Sequence, residues 1–255
     1  AGKTSLINTI SGLAIPDSGL IRIGDTTLFD KSARINVPTH KRRIGYVFQD
    51  DRLFPHMTVR NNLMYGAKRT RSDVDMFGIS EVVNLLDITS LLNRKPKALS
   101  GGEKQRGAIG RALLSHPHLL LMDEPLASLD IQRRHDILPF IERVREEIGI
   151  TVIYVTHSIE EVIYLADQII VLSEGKVAAQ GSVEEIMSRL DIHPMIGHFD
   201  AGSVISANYL KYDQHFDLGE LSFPGGTLRV SGFQAVPGTA LRAHIRARDV
   251  SLMLS

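Results

Sequence analysis

Two groups of residues in this chain have the types and spacing that phosphate chemistry needs. The first is Ser100, Gly101 and Gly102, within the run Ala98-Leu99-Ser100-Gly101-Gly102-Glu103-Lys104-Gln105-Arg106. A serine and two glycines opening a helix leave backbone N–H groups unobstructed at its N-terminus. There the unpaired donors and the positive end of the helix dipole attract an anion. Glycine suits the position because a Cβ would block close approach. The second group is the adjacent pair Asp123 and Glu124, which follows Leu119-Leu120-Leu121-Met122 and precedes Pro125. So apolar a run reads as a central parallel strand covered on both faces, and its C-terminal end is where α/β folds gather ligands. Two merely solvated charges would be an improbable ending for such a strand. One carboxylate holding Mg²⁺ beside another that orients and deprotonates water is a coherent use of both.

Three further positions fit the same chemistry. Gly2-Lys3-Thr4-Ser5 matches the closing half of a phosphate loop of the form GxxxxGK[ST]. In such a loop Lys3 reaches the β- and γ-phosphates, the Thr4 hydroxyl binds Mg²⁺, and Ser5 neighbours both. The first glycine of the motif would stand before Ala1, so the sequence is expected to be truncated at its start, without the strand that feeds the loop or an aromatic that stacks on adenine. Gln49 follows an apolar strand from Arg43 to Phe48, and His157 follows another from Thr151 to Thr156. A histidine at a strand's C-terminal edge is placed for hydrogen bonding to a phosphate.

The motifs, in this order and spacing, resemble the ATP-hydrolysing subunits of ABC transporters over residues 1 to about 190. Leu99 to Arg106 is similar to that family's signature motif, Leu119 to Pro125 to its Walker B strand, and Ala127-Ser128-Leu129-Asp130 to its D-loop. The resemblance implies that Gln49 is the Q-loop glutamine, taking Mg²⁺ or the attacking water, and that His157 contacts the γ-phosphate. It also implies a head-to-tail dimer in which Ser100, Gly101, Gly102 and Asp130 of one copy meet the ATP held by Lys3 of the other. Arg52-Leu53-Phe54-Pro55-His56, Arg60 and the ending from Ile245 to Leu252 resemble the ATPase subunits of molybdate importers in particular. Such subunits work with separate transmembrane permeases and, indirectly, a solute-binding protein, at the cytoplasmic face of the inner membrane. The cofactors so implied are ATP and Mg²⁺.

The elements that must position these residues follow from pattern and breaks. The expected fold is α/β, a P-loop NTPase core with an inserted helical subdomain at about 50–115, together forming a nucleotide-binding domain over 1–190. A linker at 191–202, marked by Pro194, Gly197 and Gly202, leads to a partial β-rich domain over 203–255. Leu6, Ile7, Ile10 and Leu13 give the first helix an apolar face, and residues 57–97 read as mostly helical up to Lys95-Pro96. The signature helix is expected to run to about Leu114, with Gly107 and Gly110 making it marginal or closely packed. Lys104, Arg106 and Arg111 read as a solvated face, and His56, His116, His118 and His135 as surface residues. Helices are expected over Ile131 to Ile148 and Ser182 to Leu190. Strands are expected at Gln168 to Leu172, Ser203 to Tyr212, Phe216 to Phe223, Thr227 to Val230 and Leu241 to Arg246. Leu53, Phe54, Pro55 and Met57 suit either a groove for a partner helix or packing beneath the helical subdomain.

Composition excludes other classes. Lys plus Arg equals Asp plus Glu at 29 each, so no overall basic field draws nucleic acid. The absence of cysteine rules out a disulfide framework or a thiolate metal site. Apolar stretches such as Leu119 to Met122 fall far short of the roughly 20 residues of a membrane-spanning helix. Balanced charge and a single cassette count against an ABC ATPase of DNA repair or translation, and an intact Glu124 and His157 count against a purely regulatory module. Importers of sulfate, iron or sugar share every catalytic motif and remain the alternatives.

Overall fold

In the computed structural model, which describes residues 2–67, 77–192 and 202–250, the chain opens with α1 (Lys3–Ser11). This helix is held between two glycines in the left-handed region, Gly2 at φ 97° and Gly12 at φ 83°. Only Ile7 and Ile10 of the anticipated apolar face pack inward, while Leu6 and Leu13 stay about half exposed. Residues 68–76 of the expected helical region, 193–201 of the expected linker, His193, His198, and Ser251 and Leu252 at the terminus lie outside the described residues. Close packing divides the chain into one unit spanning 2–157 and a second running from Ser158 onward.

In the first unit, β1 (Leu20–Ile23), β2 (Thr26–Asp30) and β3 (Ile35–Asn36) form an antiparallel sheet, with Gly24 and Asp25 as the first turn. The sheet that matters for the site is parallel: β4 (Ile44–Val47), β5 (Leu119–Asp123) and β6 (Thr151–Val155), with β5 in the middle. Every residue of β5 is buried, as its unbroken apolar run requires of a strand covered on both faces. Register pairs Tyr46 with Leu121 and Asp123 with Val155. Ile7, Ile10, Ile44, Tyr46, Leu119, Leu121 and Val155 make one cluster, so α1 lies against one face of this sheet.

The helical region consists of α2 (Val59–Ala67), α3 (Ile79–Leu85), short 3₁₀ turns at Thr89–Leu91 and Pro96–Ala98, and α4 (Gly101–Leu113). The glycines of α4 are explained by close packing. A Cβ on Gly110 would sit 2.8 Å from a methyl of Leu63 in α2, and one on Gly107 would sit 3.3 Å from Leu53. Leu53, 6% exposed, is therefore packed beneath these helices, while Pro55 and His56 are exposed.

Two expectations are corrected here. Arg106 and Arg111 do not form a solvated face. Arg106 donates to the carbonyls of Leu86 and Asp87 and lies over the Phe140 ring, while Arg111 donates to the carbonyls of Arg52 and Asp51 and lies over Phe54. Long cationic side chains reach distant carbonyls that no local pattern reveals. His116 is not a surface residue either: it is 5% exposed, with its ring 5.1 Å from Phe77. The helix α5 (Ile131–Ile148) starts at the Asp130 cap, whose side chain accepts from the Arg133 N–H, and stops at Gly149 with φ 66°.

The second unit contains α6 (Ile159–Leu165), the antiparallel pair β7 (Gln168–Ser173) and β8 (Lys176–Ser182), and α7 (Val183–Ser188), which opens with a capping box of Ser182 and Glu185. A four-stranded antiparallel sheet follows in the order β11-β10-β9-β12, from β9 (Gly202–Asp213), β10 (Leu218–Phe223), β11 (Gly226–Ser231) and β12 (Ala240–Arg246). Val204 of β9 shares a core with Ile159, Val183 and Met187. Arg242 of β12 donates to the carbonyls of Ile163 and Ala166 at the end of α6. The packing division falls between His157 and Ser158.

Candidate active site

The first turn of α1 meets the C-terminal end of the parallel sheet. Gly2 turns the chain in the left-handed region so that α1 begins with Lys3 and Thr4, and no side chain caps its N-terminus. The Thr4 hydroxyl donates to Asp123 Oδ1 at 3.2 Å, tying the first turn of α1 to the last residue of β5. Lys3 Nζ donates to the Thr156 carbonyl at 3.0 Å, just past the end of β6. Ser5 lies exposed in the same turn.

Beyond Asp123 the ladder continues for one more bond, from the Glu124 N–H to the Val155 carbonyl at 2.8 Å. Glu124 itself has φ 45°, a left-handed conformation that costs a residue with a side chain about 1–2 kcal/mol. Strain of this kind in a non-glycine residue is found at functional sites, and no local pattern of residues announces it. The Glu124 carboxylate is 3.2 Å from His157 Nδ1, with the Glu124 side chain 26% and the His157 side chain 63% exposed. A ring that donates at Nδ1 keeps Nε2 free for a further partner.

Asp123 is 8% exposed and also lies 3.3 Å from the Tyr46 hydroxyl. Burial first, and the Asp123 charge next, push the Tyr46 phenol far above its usual range, so it remains a proton donor. Thr4 and Asp123 present adjacent hard oxygens, which fits Mg²⁺: this ion keeps several waters and takes one or two protein oxygens plus phosphates. Among the described residues no cluster of three His, Cys, Asp or Glu side chains would hold a metal by itself. Gln49 sits exposed on the bend after β4 and makes no hydrogen bond to Thr4 or Asp123.

The signature residues form a separate group. Ser100 caps α4, accepting from the Glu103 N–H, while the Glu103 carboxylate accepts from the Ser100 N–H at 2.7 Å. A Cβ on Gly101 would lie 2.8 Å from Leu129, and one on Gly102 would lie 3.2 Å from Ile137. A side chain at either position would therefore press on an apolar side-chain end within the chain, apart from any approach by a ligand. Asp130 is the exposed cap of α5. Among the described residues, no hydrogen bond or ion pair joins Ser100, Gly101, Gly102 or Asp130 to the Lys3, Thr4, Asp123, Glu124 and His157 group.

A buried carboxylate carried by a central parallel strand to the foot of a glycine-led helix that offers Lys and Thr defines a nucleoside-triphosphate hydrolase. Comparison with known proteins narrows the class. The family model described as ABC transporter matches residues 1–127. The molybdenum import ATP-binding protein ModC of Rhodospirillum rubrum is 48% identical over 254 residues, covering 100% of this chain and 69% of that protein. Its namesake in Pectobacterium atrosepticum is 48% identical over 255 residues, covering 100% of this chain and 71% of that one. Among solved structures, the dimeric post-hydrolysis state of the ATP-binding cassette MJ0796 bound to ADP and Pi matches with a TM-score of 0.57 and 30% identity, over 71% of this chain and 81% of that chain. The cbiO1 protein of Clostridium perfringens, part of the ABC transporter complex cbiONQ, matches with a TM-score of 0.63 and 29% identity, over 77% of this chain and 82% of that chain. This chain belongs to the ATP-binding proteins of ABC transporters, and is an ATPase of that family.

Proposed function

We propose that the chain powers import of molybdate through separate transmembrane subunits, from the cytoplasmic face of the inner membrane, by binding and hydrolysing ATP between two copies of itself. Whole-chain identity of 48% to molybdenum import ATP-binding proteins supports the solute. The observation that carries the catalytic reading is the meeting of Lys3, Thr4, Asp123, Glu124 and His157 at the ends of β5 and β6. Residues 1–190 act as the nucleotide-binding domain in this reading, and 203–255 as part of a regulatory β domain.

Gly2, Lys3, Thr4 and Ser5 hold the phosphates. Lys3 exchanges the neutral Thr156 carbonyl for β- and γ-phosphate oxygens, so that its cationic donor meets an anionic acceptor. Thr4, Asp123 and Gln49 hold Mg²⁺, which when bound neutralises charge on the phosphate oxygens. Glu124 orients a water in line with the γ-phosphate and takes its proton, and His157 contacts the γ-phosphate. From the second copy, Ser100 and the N–H groups of Gly101 and Gly102 cover the γ-phosphate, with Asp130 beside them.

The test is phosphate release by the chain reconstituted in vesicles with its permease and solute-binding partners. Molybdate is expected to stimulate it, and Glu124→Gln to slow it by on the order of 10²–10⁴ while ATP still binds. Stimulation by sulfate, iron or maltose in place of molybdate would reject the solute, and near wild-type turnover of Glu124→Gln would reject the base.

A further inference from the structure

The geometry points to Tyr46 as the positioning residue for Asp123: its phenol fixes the carboxylate, and Asn8 fixes the phenol. The inference rests on the reading of Asp123 as a Mg²⁺-holding group and explains what aims that group.

Strand register brings the residues together. Tyr46 on β4 pairs with Leu121 on β5, and partners in a parallel ladder face the same side of the sheet. Asp123 lies two residues beyond Leu121 and so shares that face. The rest of the face is apolar, with Ile44, Leu119 and Leu121 packed under Ile7 and Ile10 of α1. An aliphatic side chain at position 46 would fill this layer equally well. A phenol instead adds one polar atom at the point where Asp123 needs a partner.

Each oxygen of Asp123 then has its own donor. Oδ1 accepts from Thr4 at 3.2 Å and Oδ2 from the Tyr46 hydroxyl at 3.3 Å. The Tyr46 hydroxyl also faces Asn8 Oδ1 at 3.0 Å, one helical turn after Thr4 on α1, so as placed the phenol has two acceptors for its one proton. A phenol has one proton and an ionised carboxylate has none to give, so the proton goes to Asp123. A half-turn of the Asn8 amide, which exchanges two groups of equal size, then lets its N–H donate to the phenol. The relay runs Asn8 to Tyr46 to Asp123. Stacking of the Tyr46 ring on Phe48, with centroids 4.1 Å apart, holds the phenol in place. The carboxylate is thus held from both sides, Oδ1 by Thr4 and Oδ2 by Tyr46.

Tyr46→Phe keeps the ring and removes only the hydroxyl. Mn²⁺, read by electron paramagnetic resonance, is titrated into the full chain saturated with ADP. Tyr46→Phe is expected to weaken Mn²⁺ binding about tenfold, the scale on which outer partners tune metal ligands. ADP binding in EDTA should stay unchanged. Asn8→Ala should weaken Mn²⁺ less, and should add nothing in the Tyr46→Phe background. Unchanged Mn²⁺ binding in Tyr46→Phe, beside a large loss in Asp123→Asn, overturns the Tyr46 inference alone. Unchanged binding in both overturns the reading of Asp123 as well, and full additivity of Asn8→Ala with Tyr46→Phe overturns the relay.

Discussion

At the end of β5, Glu124 is held at φ 45°, its carboxylate faces a largely exposed His157, and Lys3 has a neutral carbonyl as its partner. At the start of α4, Ser100 and Glu103 satisfy each other's backbone N–H groups, and Gly101 and Gly102 are fitted against Leu129 and Ile137. The first region stores backbone strain and leaves polar groups with room for better partners. The second is satisfied and closely packed. Under the proposed function, that difference separates the group that must be aimed at the phosphate, where strain is tolerated, from the helix end that must hold its shape, where capping is used.

The largest effect that follows lies on the packed side. Gly110→Leu drives a side chain into Leu63 and Leu86, so urea unfolding should show a loss of about 3 kcal/mol, the upper end for overpacking. A wild-type midpoint would mean that α2 and α4 are not in close contact, and would remove the rigid half of the comparison.

Smaller effects should have opposite signs in the two regions. Ser100→Ala removes a helix cap and should lower stability by about 1 kcal/mol. Glu124→Gly relieves the left-handed strain, less the extra chain entropy of glycine, and should raise stability by about 0.5–1 kcal/mol while hydrolysis is lost. Denaturation curves for both variants decide the matter; a loss of stability in each would show that Glu124 is not strained.

Much of this was legible from residue order. The unbroken run Leu119 to Met122 announced β5, and the pattern over Ile131 to Ile148 matched α5. Each is a local signal, carried by neighbours in sequence. What could not be read is tertiary. The acceptors of Arg106 and Arg111 lie far along the chain, as does the Phe77 ring beside His116. The packing of Val204 with Ile159, Val183 and Met187 joins segments that residue order alone keeps apart. At the site, the residue types were legible, whereas the left-handed turn at Glu124 and the reach of Tyr46 to Asp123 depend on strand register.

Under the proposed function, Ser100, Gly101 and Gly102 of one copy complete the ATP site of Lys3 in another. Since the chain has no cysteine, two single-cysteine variants report on this cleanly: Leu6→Cys, two residues past Thr4, and Lys104→Cys, in the first turn of α4. The two are mixed in a Glu124→Gln background and treated with a flexible bismaleimide. An ATP-dependent product joining one chain of each variant, abolished by Lys3→Ala, is expected from this arrangement. Absence of that product with ATP bound, or equal yield without ATP, would contradict it.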